Sequence, residues 1–206
     1  MLKIYLARHG QNEDNAEGIL NGHRDRPLTE QGLRQAHQLA DGIVREGYTF
    51  DAVYSSPLSR AHTTAQVVCE RLELPVPVVV DLLIERDFGV MTGRPASDIE
   101  RLCAPEVVKT DTITYFLSPE GAETFPMLLE RAHDALSNTV ERAPQEGSVL
   151  LVTHGDFGKM LYASYYGISW PAMLTLFHFG NCELLLLAPD ADPRKPHVIN
   201  IEQHNH

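Results

Sequence analysis

The sequence predicts an α/β fold in three layers, in which a mostly parallel sheet carries helices on both faces and a small cap-like insertion. Short apolar runs rich in strand-forming residues alternate with longer segments whose apolar residues recur at helical spacing. Some of these runs are apolar throughout, as strands are when helices cover both sides of a parallel sheet. A chain of 206 residues has the usual length of one domain, so we expect one domain over 1–206.

The first half of the chain predicts strands and helices in alternation. The predicted elements are a strand at 3–7, a helix from Thr29 to Gly47, a strand at 50–54, a helix at 55–74 and a strand at 76–84. Thr29 is a candidate N-cap, and Leu33 and Val44 belong to the apolar stripe of the helix that follows it. Pro57 falls in the predicted first turn of the second helix, where a proline is tolerated.

The helix and strand pattern weakens over 86–121. Pro95, Pro105 and Pro119 divide this segment into short helical pieces and loops, so we expect an insertion that lies over one end of the sheet. The pattern then resumes, with Val140 on the inner stripe of the next helix. The remaining predicted elements are a helix at 122–142, a strand at 148–155, a helix at 156–166, and strands at 183–188 and 197–203.

Charge and cysteine content disfavour several classes of protein. Lys and Arg total 17 and Asp and Glu total 28, so the formal net charge of −11 disfavours binding to nucleic acid or to an anionic membrane. No segment predicts a signal peptide or a membrane span. The three cysteines are far apart, which predicts neither a disulfide framework nor a thiolate metal site. We expect a cytoplasmic protein.

Two predicted strands end in similar sequences, LARHG at 6–10 and LVTHG at 151–155. In an open parallel sheet, ligands bind beyond the carboxyl ends of the strands, so His9 and His154 should face one another. Arg8 stands beside His9, and a guanidinium is well shaped to clamp phosphate oxygens. Either histidine alone would more often be structural. Together with an arginine and without an Asp cluster, the pair favours a phosphate pocket over a metal site.

Six polar motifs follow one another along nearly the whole chain. They are Arg8-His9-Gly10, Asn15, Asn21-Gly22, Ser56-Pro57-Leu58-Ser59-Arg60, Glu85-Arg86 and Thr153-His154-Gly155. The tripeptide at 8–10 is a weak signal because it occurs easily by chance, whereas the ordered set is specific. In order and approximate spacing the set resembles the histidine phosphatase superfamily, the phosphoglycerate mutase-like family.

The resemblance implies phosphoryl transfer through a phosphohistidine, with no metal and no cofactor. His9 would attack phosphorus, and the transferring oxygens would be surrounded by Arg8, Arg60 and His154. Glu85 would protonate the leaving alkoxide and then activate water. Further hydrogen bonds to the substrate would come from Asn15, Asn21, Gly22 and Gly155. Without the resemblance, Arg60 would be interpreted as a surface residue of a helix and Glu85 as part of a charged loop.

Within the family, the sequence favours the phosphatase branch over the mutases. In the mutase pattern a Tyr and a Lys follow the catalytic Glu, at positions that are Phe88 and Ala96 here. The mutases also have a later pair of adjacent arginines, whereas beyond position 100 the insertion has two separate basic residues, Arg101 and Lys109. The stretch SPEGAETF at 118–125 resembles the P-x-G-E-[ST] segment of the phosphatases.

These observations lead us to expect a phosphomonoesterase that hydrolyses a small phosphorylated metabolite. Two alternatives stay open, a phosphoglycerate mutase-type transfer and a noncatalytic module that binds a phosphorylated ligand. His23 and Arg24 are further candidates for the mouth of the pocket, because they follow the Asn21-Gly22 motif. The identity of the substrate and the oligomeric state, a homodimer included, are not fixed by the sequence.

Overall fold

The structure, a computed structural model, describes residues 1–203 and contains a six-stranded sheet. The strands are β1 (Leu2–Arg8), β2 (Ala52–Ser55), β3 (Val78–Val79), β4 (Val107–Lys109), β5 (Thr114–Phe116), β6 (Gly147–Thr153), β7 (Leu184–Leu187) and β8 (His197–Ile199). The sheet has the order β3-β2-β6-β1-β7-β8. Its first four strands are parallel to one another, whereas β7 is antiparallel to both of its neighbours. The predicted α/β fold with a mostly parallel sheet is confirmed.

Helices pack against both faces of this sheet. The helices of residues 1–203 are α1 (Glu13–Glu17), α2 (Glu30–Glu46), α3 (Ser59–Arg71), α4 (Ile99–Cys103), α5 (Phe125–Arg142), α6 (Gly155–Tyr166) and α7 (Trp170–Leu176). Those that form the cores on the two faces are α2 and α3 on one and α5, α6 and α7 on the other. Side chains alternate between the faces of a strand, and in β1 Ile4 and Leu6 join one core with α5, α6 and α7. Tyr5 and Ala7 join a second core with α2 and α3. The two cores produce the three layers.

The adjacent pairing of β1 and β6 brings the two histidine motifs together. Arg8 is the register partner of Thr153, and the amide of His9 donates to the carbonyl oxygen of Thr153 at 3.0 Å. The rings of His9 and His154 consequently lie edge to face, with 5.1 Å between their centroids. The prediction that both strands end at the same edge of the sheet is confirmed.

Several predicted boundaries are wrong. The strand expected at 76–84 is limited to β3 at the edge of the sheet, where Pro77 directly before it cannot donate to a strand ladder. A 3-10 turn at Asp81–Leu83 follows β3. Helix α3 begins after Pro57, which therefore precedes its first turn. The predicted inner-stripe residues Leu33, Val44 and Val140 are exposed. The short helices α1 and α7 were not predicted.

The insertion at 86–121 is more ordered than expected. It contains 3-10 turns at Gly89–Met91 and Ala96–Asp98, then α4, and then a two-stranded hairpin of β4 and β5 that the sequence did not predict. A small core of its own joins Phe88, Met91, Ile99, Cys103 and Phe116. The hairpin brings residues from the end of the insertion to the carboxyl edge of the main sheet.

Across the described residues 1–203, no helix is long and apolar enough to cross a membrane. The pair His204 and His206, for which adventitious metal binding was the most that the sequence allowed, lies outside the described residues.

Candidate active site

His9, the predicted nucleophile, follows β1 and is 2% exposed. Its Nδ1 lies 2.7 Å from the carbonyl oxygen of Gly10, which can only accept, so Nδ1 carries a proton. Nε of Arg60 donates to Nε2 of His9 at 3.2 Å, so Nε2 carries a lone pair. Burial, reinforced by the charges of Arg60 and Arg8, holds the pKa of His9 well below its usual range. The ring is therefore neutral, with Nε2 as its nucleophilic atom.

Gly10 fixes the loop that follows His9. A Cβ at this position would lie 2.4 Å from the carbonyl oxygen of Gly32, in the first turn of α2. The amide of Gly10 also donates to Oγ1 of Thr64 in α3, at 3.1 Å. The glycine is therefore required by the close approach of another part of the backbone.

Two arginines stand beside His9. Arg60, in the first turn of α3, is completely buried and donates to the carbonyl oxygens of Arg24 at 2.6 Å and Gly22 at 3.0 Å. Arg8 donates to the carbonyl oxygen of Phe179 at 2.8 Å. Its Nε is buried and has no hydrogen-bond partner among residues 1–203. Burial lowers the pKa of Arg60 to about 10 and also lowers the pKa of Arg8. Both side chains remain cations because a guanidinium does not lose its proton in proteins.

Neither guanidinium has an acidic partner close by. Within the described part of the chain, no carboxylate oxygen lies within 4.0 Å of Arg8 or of Arg60. Burying a cation without a counter-ion is costly, because the charge loses its hydration. An anion such as a phosphate group would supply the missing charge between the two side chains.

His154, the N-cap residue of α6, is completely buried behind His9. Its Nε2 lies 2.7 Å from Oγ of Ser56. Its Nδ1 is buried and has no hydrogen-bond partner in residues 1–203. Burial, followed by the charges of Arg60 and of His9, holds the pKa of His154 well below its usual range. Binding of a phosphate would favour the protonated ring.

Glu85, the predicted acid, follows the edge strand and is 6% exposed. Its Oε1 accepts the backbone N–H groups of Arg86 at 2.8 Å and of Phe157 at 3.1 Å. These bonds favour the carboxylate, but burial and the charge of Asp156 outweigh them, and the pKa of Glu85 is raised. With Oε1 fixed by two donors, Oε2 is the oxygen that can carry a proton.

Arg131, in α5, holds the backbone around Glu85. Its guanidinium donates to the carbonyl oxygens of Leu82 and Ile84 at 2.8 Å each, and to that of Glu85 at 3.2 Å. A bidentate pair with Glu123, at 2.7 and 2.9 Å, fixes the guanidinium in turn. Arg131 is therefore a positioning residue for the predicted acid.

A cavity of about 150 Å³ joins most of the predicted residues. Those that line it are Arg8, His9, Asn15, Asn21, Arg60, Glu85 and Gly155. The structure places Gly22 and His154 outside the lining, since Gly22 offers its carbonyl oxygen to Arg60 and His154 lies behind His9. An open recess of about 550 Å³ continues from this cavity and shares Ile19, Leu20 and Ile113 with it.

The candidates for the mouth of the pocket do not line this cavity. His23 donates from Nε2 to the carbonyl oxygen of Glu85 at 2.7 Å. Arg24 forms a bidentate pair with Asp14, at 2.9 and 3.1 Å. Both side chains therefore support the surrounding loops. Within residues 1–203, no group of three or more His, Cys, Asp or Glu side chains is placed so that it could hold a metal ion.

Several residues of the site were not predicted from the sequence. Lys159 from α6 and Tyr115 from β5 both line the cavity, and Nζ of Lys159 donates to the hydroxyl of Tyr115 at 3.0 Å. Asp156 lines it as well, and Ser56 fixes His154. Ser56 begins one of the recognised motifs and Asp156 directly follows another, which is a signal that could have found them. Lys159 and Tyr115 are 44 positions apart, and no local pattern connects them.

A family model and a relative of known name place this chain in the same family. A family model described as histidine phosphatase superfamily (branch 1) matches residues 4–202. A relative from Parvibaculum lavamentivorans, named 2,3-bisphosphoglycerate-dependent phosphoglycerate mutase, is 31% identical over 176 residues, which are 84% of this chain and 84% of the relative.

Solved structures share the fold. A mycobacterial glucosyl-3-phosphoglycerate phosphatase superposes with a TM-score of 0.77 and 26% identity, over 90% of this chain and 92% of the other. A phosphoserine phosphatase from Entamoeba histolytica superposes with a TM-score of 0.71 and 23% identity, over 90% of each chain, and supports the fold alone.

Proposed function

The chain belongs to the histidine phosphatase superfamily, and on this premise we propose that it is a phosphomonoesterase that hydrolyses a small phosphorylated metabolite through a phosphohistidine, without a metal. One observation carries the proposal. The His9 ring is held in the tautomer whose Nε2 carries the lone pair, in a cavity lined by Arg8, Arg60 and Glu85.

In the first half of the proposed reaction, Nε2 of His9 attacks phosphorus and the bond from phosphorus to the ester oxygen breaks. The departing oxygen takes the proton from Oε2 of Glu85, so an alcohol leaves and phosphohistidine remains. In the second half, the Glu85 carboxylate takes a proton from water as the water oxygen attacks phosphorus. The bond from phosphorus to Nε2 then breaks, which releases phosphate and restores the neutral imidazole.

The surrounding groups stabilise the charge of the transferring phosphoryl group. Arg8 and Arg60 supply two cations, and His154 supplies a third when phosphate raises its pKa. The side-chain amide of Asn15 accepts through Oδ1 from Asn12 and Asn181, which leaves its nitrogen to donate to substrate. Asn21 and Gly155 contribute further donors from the cavity wall.

The part of the cavity wall that the insertion supplies contains no cation, which favours hydrolysis over a mutase reaction. A mutase must retain a bisphosphorylated intermediate, which requires further cations around the second phosphate. The insertion instead contributes Phe88, Ile113 and Tyr115 to the wall. Its basic residues Arg101 and Lys109 are exposed and pair with Asp98 and Glu100.

A phosphoglycerate mutase is the second candidate, because the relative with 31% identity carries that name. A direct test measures phosphate release from glycerol 3-phosphate and p-nitrophenyl phosphate with excess chelator. It also measures interconversion of 3- and 2-phosphoglycerate with 2,3-bisphosphoglycerate present. We expect sustained hydrolysis in chelator. Interconversion without net release of phosphate would support the mutase, and no turnover in either assay would support a noncatalytic phospholigand module.

The cellular setting follows the same proposal. Cys69, Cys103 and Cys182 are all free and buried, as is usual in a reducing compartment, and we propose a cytoplasmic enzyme. Its partner would be the phosphorylated metabolite, with no nucleic acid or membrane. Whether the chain forms a homodimer stays open.

A further inference from the structure

Lys159 is a buried cation of the active-site cavity, and the mechanism above does not use it. It lies in the middle of α6, is 3% exposed, and lines the cavity together with Arg8 and Arg60. Its Nζ donates to the hydroxyl of Tyr115 at 3.0 Å and to the carbonyl oxygen of Leu174 at 2.9 Å. Both acceptors are neutral.

The hydrogen bonds of this pair leave two donors without acceptors. An ammonium group has three N–H donors, and two are used by Tyr115 and Leu174. The Tyr115 oxygen accepts from Lys159, so its own hydroxyl hydrogen is still available, and within residues 1–203 no acceptor takes it. Both side chains line the cavity, so two hydrogen-bond donors from different elements stand in one part of its wall.

The charge of Lys159 also lacks a counter-ion. Among residues 1–203, no carboxylate oxygen lies within 4.0 Å of its Nζ. Two acidic residues, Glu85 and Asp156, lie in the cavity wall. The Asp156 carboxylate lies 3.1 Å from Nε of the buried Arg86, and Oε1 of Glu85 accepts two backbone N–H groups. Burial lowers the pKa of Lys159 to about 8, which is the expected effect on an unpaired buried ammonium. A bound anion would relieve this cost.

The geometry points to an oxyanion subsite, formed by Lys159 and Tyr115, that binds a second anionic group on the alcohol portion of the phosphomonoester. The inference rests on the proposed function and narrows its substrate class. In the proposed reaction Arg8 and Arg60 hold the phosphate that is transferred, and Lys159 in α6 bonds to Tyr115, which belongs to the insertion. A carboxylate fits this subsite, because its oxygens accept hydrogen bonds from both donors at once.

A structural role is the competing interpretation. Lys159 connects α6 to α7 through Leu174, and its Nζ lies 5.3 Å from the Tyr115 ring centroid and 5.5 Å from that of Phe177. The two side chains also line a separate recess of about 200 Å³. Either a purely structural lysine or a ligand bound in that recess predicts equal effects on all substrates. A subsite in the catalytic cavity predicts a change of selectivity.

The test compares 3-phosphoglycerate with glycerol 3-phosphate, which differ by a carboxylate in place of a hydroxymethyl group. Tyr115→Phe removes one oxygen and keeps the ring, and Lys159→Met removes the charge and keeps most of the length. Hydrogen bonds to charged groups contribute about 1.5–3 kcal/mol, so each variant should lose roughly 10- to 100-fold in kcat/KM for 3-phosphoglycerate. The loss for glycerol 3-phosphate should stay below about threefold. Lys109→Met, at an exposed lysine paired with Glu100, is the matched control.

Inhibition by the product glycerate gives a second measurement, which does not depend on the chemical step. We expect its inhibition constant to rise in Tyr115→Phe by the same factor as the loss in kcat/KM. Equal losses for both substrates, or unchanged inhibition by glycerate, would overturn the subsite. If Lys159→Met does not fold, Tyr115→Phe alone decides. Failure of the wild type to release phosphate from any substrate would instead overturn the proposed function.

Discussion

Arg60, beside the predicted nucleophile, and Arg86, at the start of the insertion, are both completely buried, but their surroundings differ. Arg60 donates to two carbonyl oxygens and to His9, and no acidic group balances its charge at close range within the described chain. Arg86 has its Nε 3.1 Å from Asp156 and donates to the carbonyl oxygen of Phe116 at 2.9 Å. Its guanidinium also packs over the rings of Phe88, Phe116 and Phe125.

The comparison shows that burial alone does not distinguish a structural cation from a functional one. Arg86 is balanced by protein groups and joins the insertion to the core. Arg60 shares its lack of an acidic partner with Arg8 and Lys159, and these three line one cavity. An unbalanced buried cation is costly to the folded protein, so a cluster of three indicates a site that receives anionic groups.

Of the substitutions considered, Arg60→Met should cause the largest loss of activity. Removal of a preorganised cation from a transition-state site lowers turnover by about 10²–10³. The melting temperature of the wild type should rise with inorganic phosphate, because a ligand that binds the folded state stabilises it, and this rise should disappear in Arg60→Met. Phosphate-dependent thermal denaturation and kcat are the two measurements.

Arg86→Met is the matched variant for that experiment. It leaves Asp156 unpaired, so we expect the free energy of unfolding to fall by about 3 kcal/mol, while phosphate still raises the melting temperature. If phosphate stabilised Arg60→Met as much as the wild type, Arg60 would be a structural residue like Arg86. Loss of the phosphate effect in both variants would remove the distinction between the two arginines.

A second, smaller effect concerns Glu85, which lies next to Arg86 in the sequence but lines the same cavity as Arg60. Alkoxides need a proton as they leave, whereas p-nitrophenolate does not. Glu85→Gln should therefore slow phosphorylation of His9 by glycerol 3-phosphate about 10²-fold and by p-nitrophenyl phosphate only slightly. Hydrolysis of the phosphohistidine should slow with both substrates, because the base is also lost.

Burst kinetics on the two substrates separates these steps. Asp87→Asn, at the exposed neighbour of the site, is the control and should leave both bursts unchanged. Equal slowing of the phosphorylation step for both substrates would exclude Glu85 as the acid.

The smallest expected effect is the pH dependence of selectivity. Lys159 is charged below its pKa of about 8 and neutral above it. The groups that act on its charge are Asp156, Tyr115 and His178, and burial raises the pKa of Tyr115 and lowers that of His178 to about 4, so neither titrates between pH 7 and 9. The preference in kcat/KM for 3-phosphoglycerate over glycerol 3-phosphate should fall about tenfold from pH 7 to pH 9.

The ratio of kcat/KM for the two substrates does not change when a group titrates that affects phosphoryl transfer from both substrates equally. Lys159→Met should show a ratio that does not vary over this range. A constant ratio in the wild type would contradict a charged subsite, and a ratio that rises with pH would give the wrong sign for a lysine.

The sequence predicted the residues around His9 more completely than those that the insertion contributes to the site. His9 and His154 were identified because parallel strands end at a common edge, which is a property of the fold. The hairpin of β4 and β5 was missed because its strands are three residues each, too short for a periodic pattern. The pairing of Lys159 with Tyr115 depends on that hairpin and was therefore beyond sequence reasoning.

Local chemistry explains the remaining errors. Leu33 and Val44 fit the helical stripe but are exposed. Periodicity predicts which face of a helix is turned toward the core, but not how much of that face the core covers. Strand β3 is shorter than the apolar run at 76–84 predicts, and Pro77 lies directly before it. Arg131 acts through carbonyl oxygens, which no side-chain motif reveals.

If His9 is the nucleophile, its phosphorylated form accumulates during turnover and can be trapped. The wild type is mixed with labelled p-nitrophenyl phosphate in excess chelator, quenched in base, digested and mapped. We expect one phosphate per chain, stable in base and labile in acid, on the peptide that contains His9, and none in His9→Ala. Label on another residue, or steady hydrolysis by His9→Ala at the wild-type rate, would contradict the covalent mechanism.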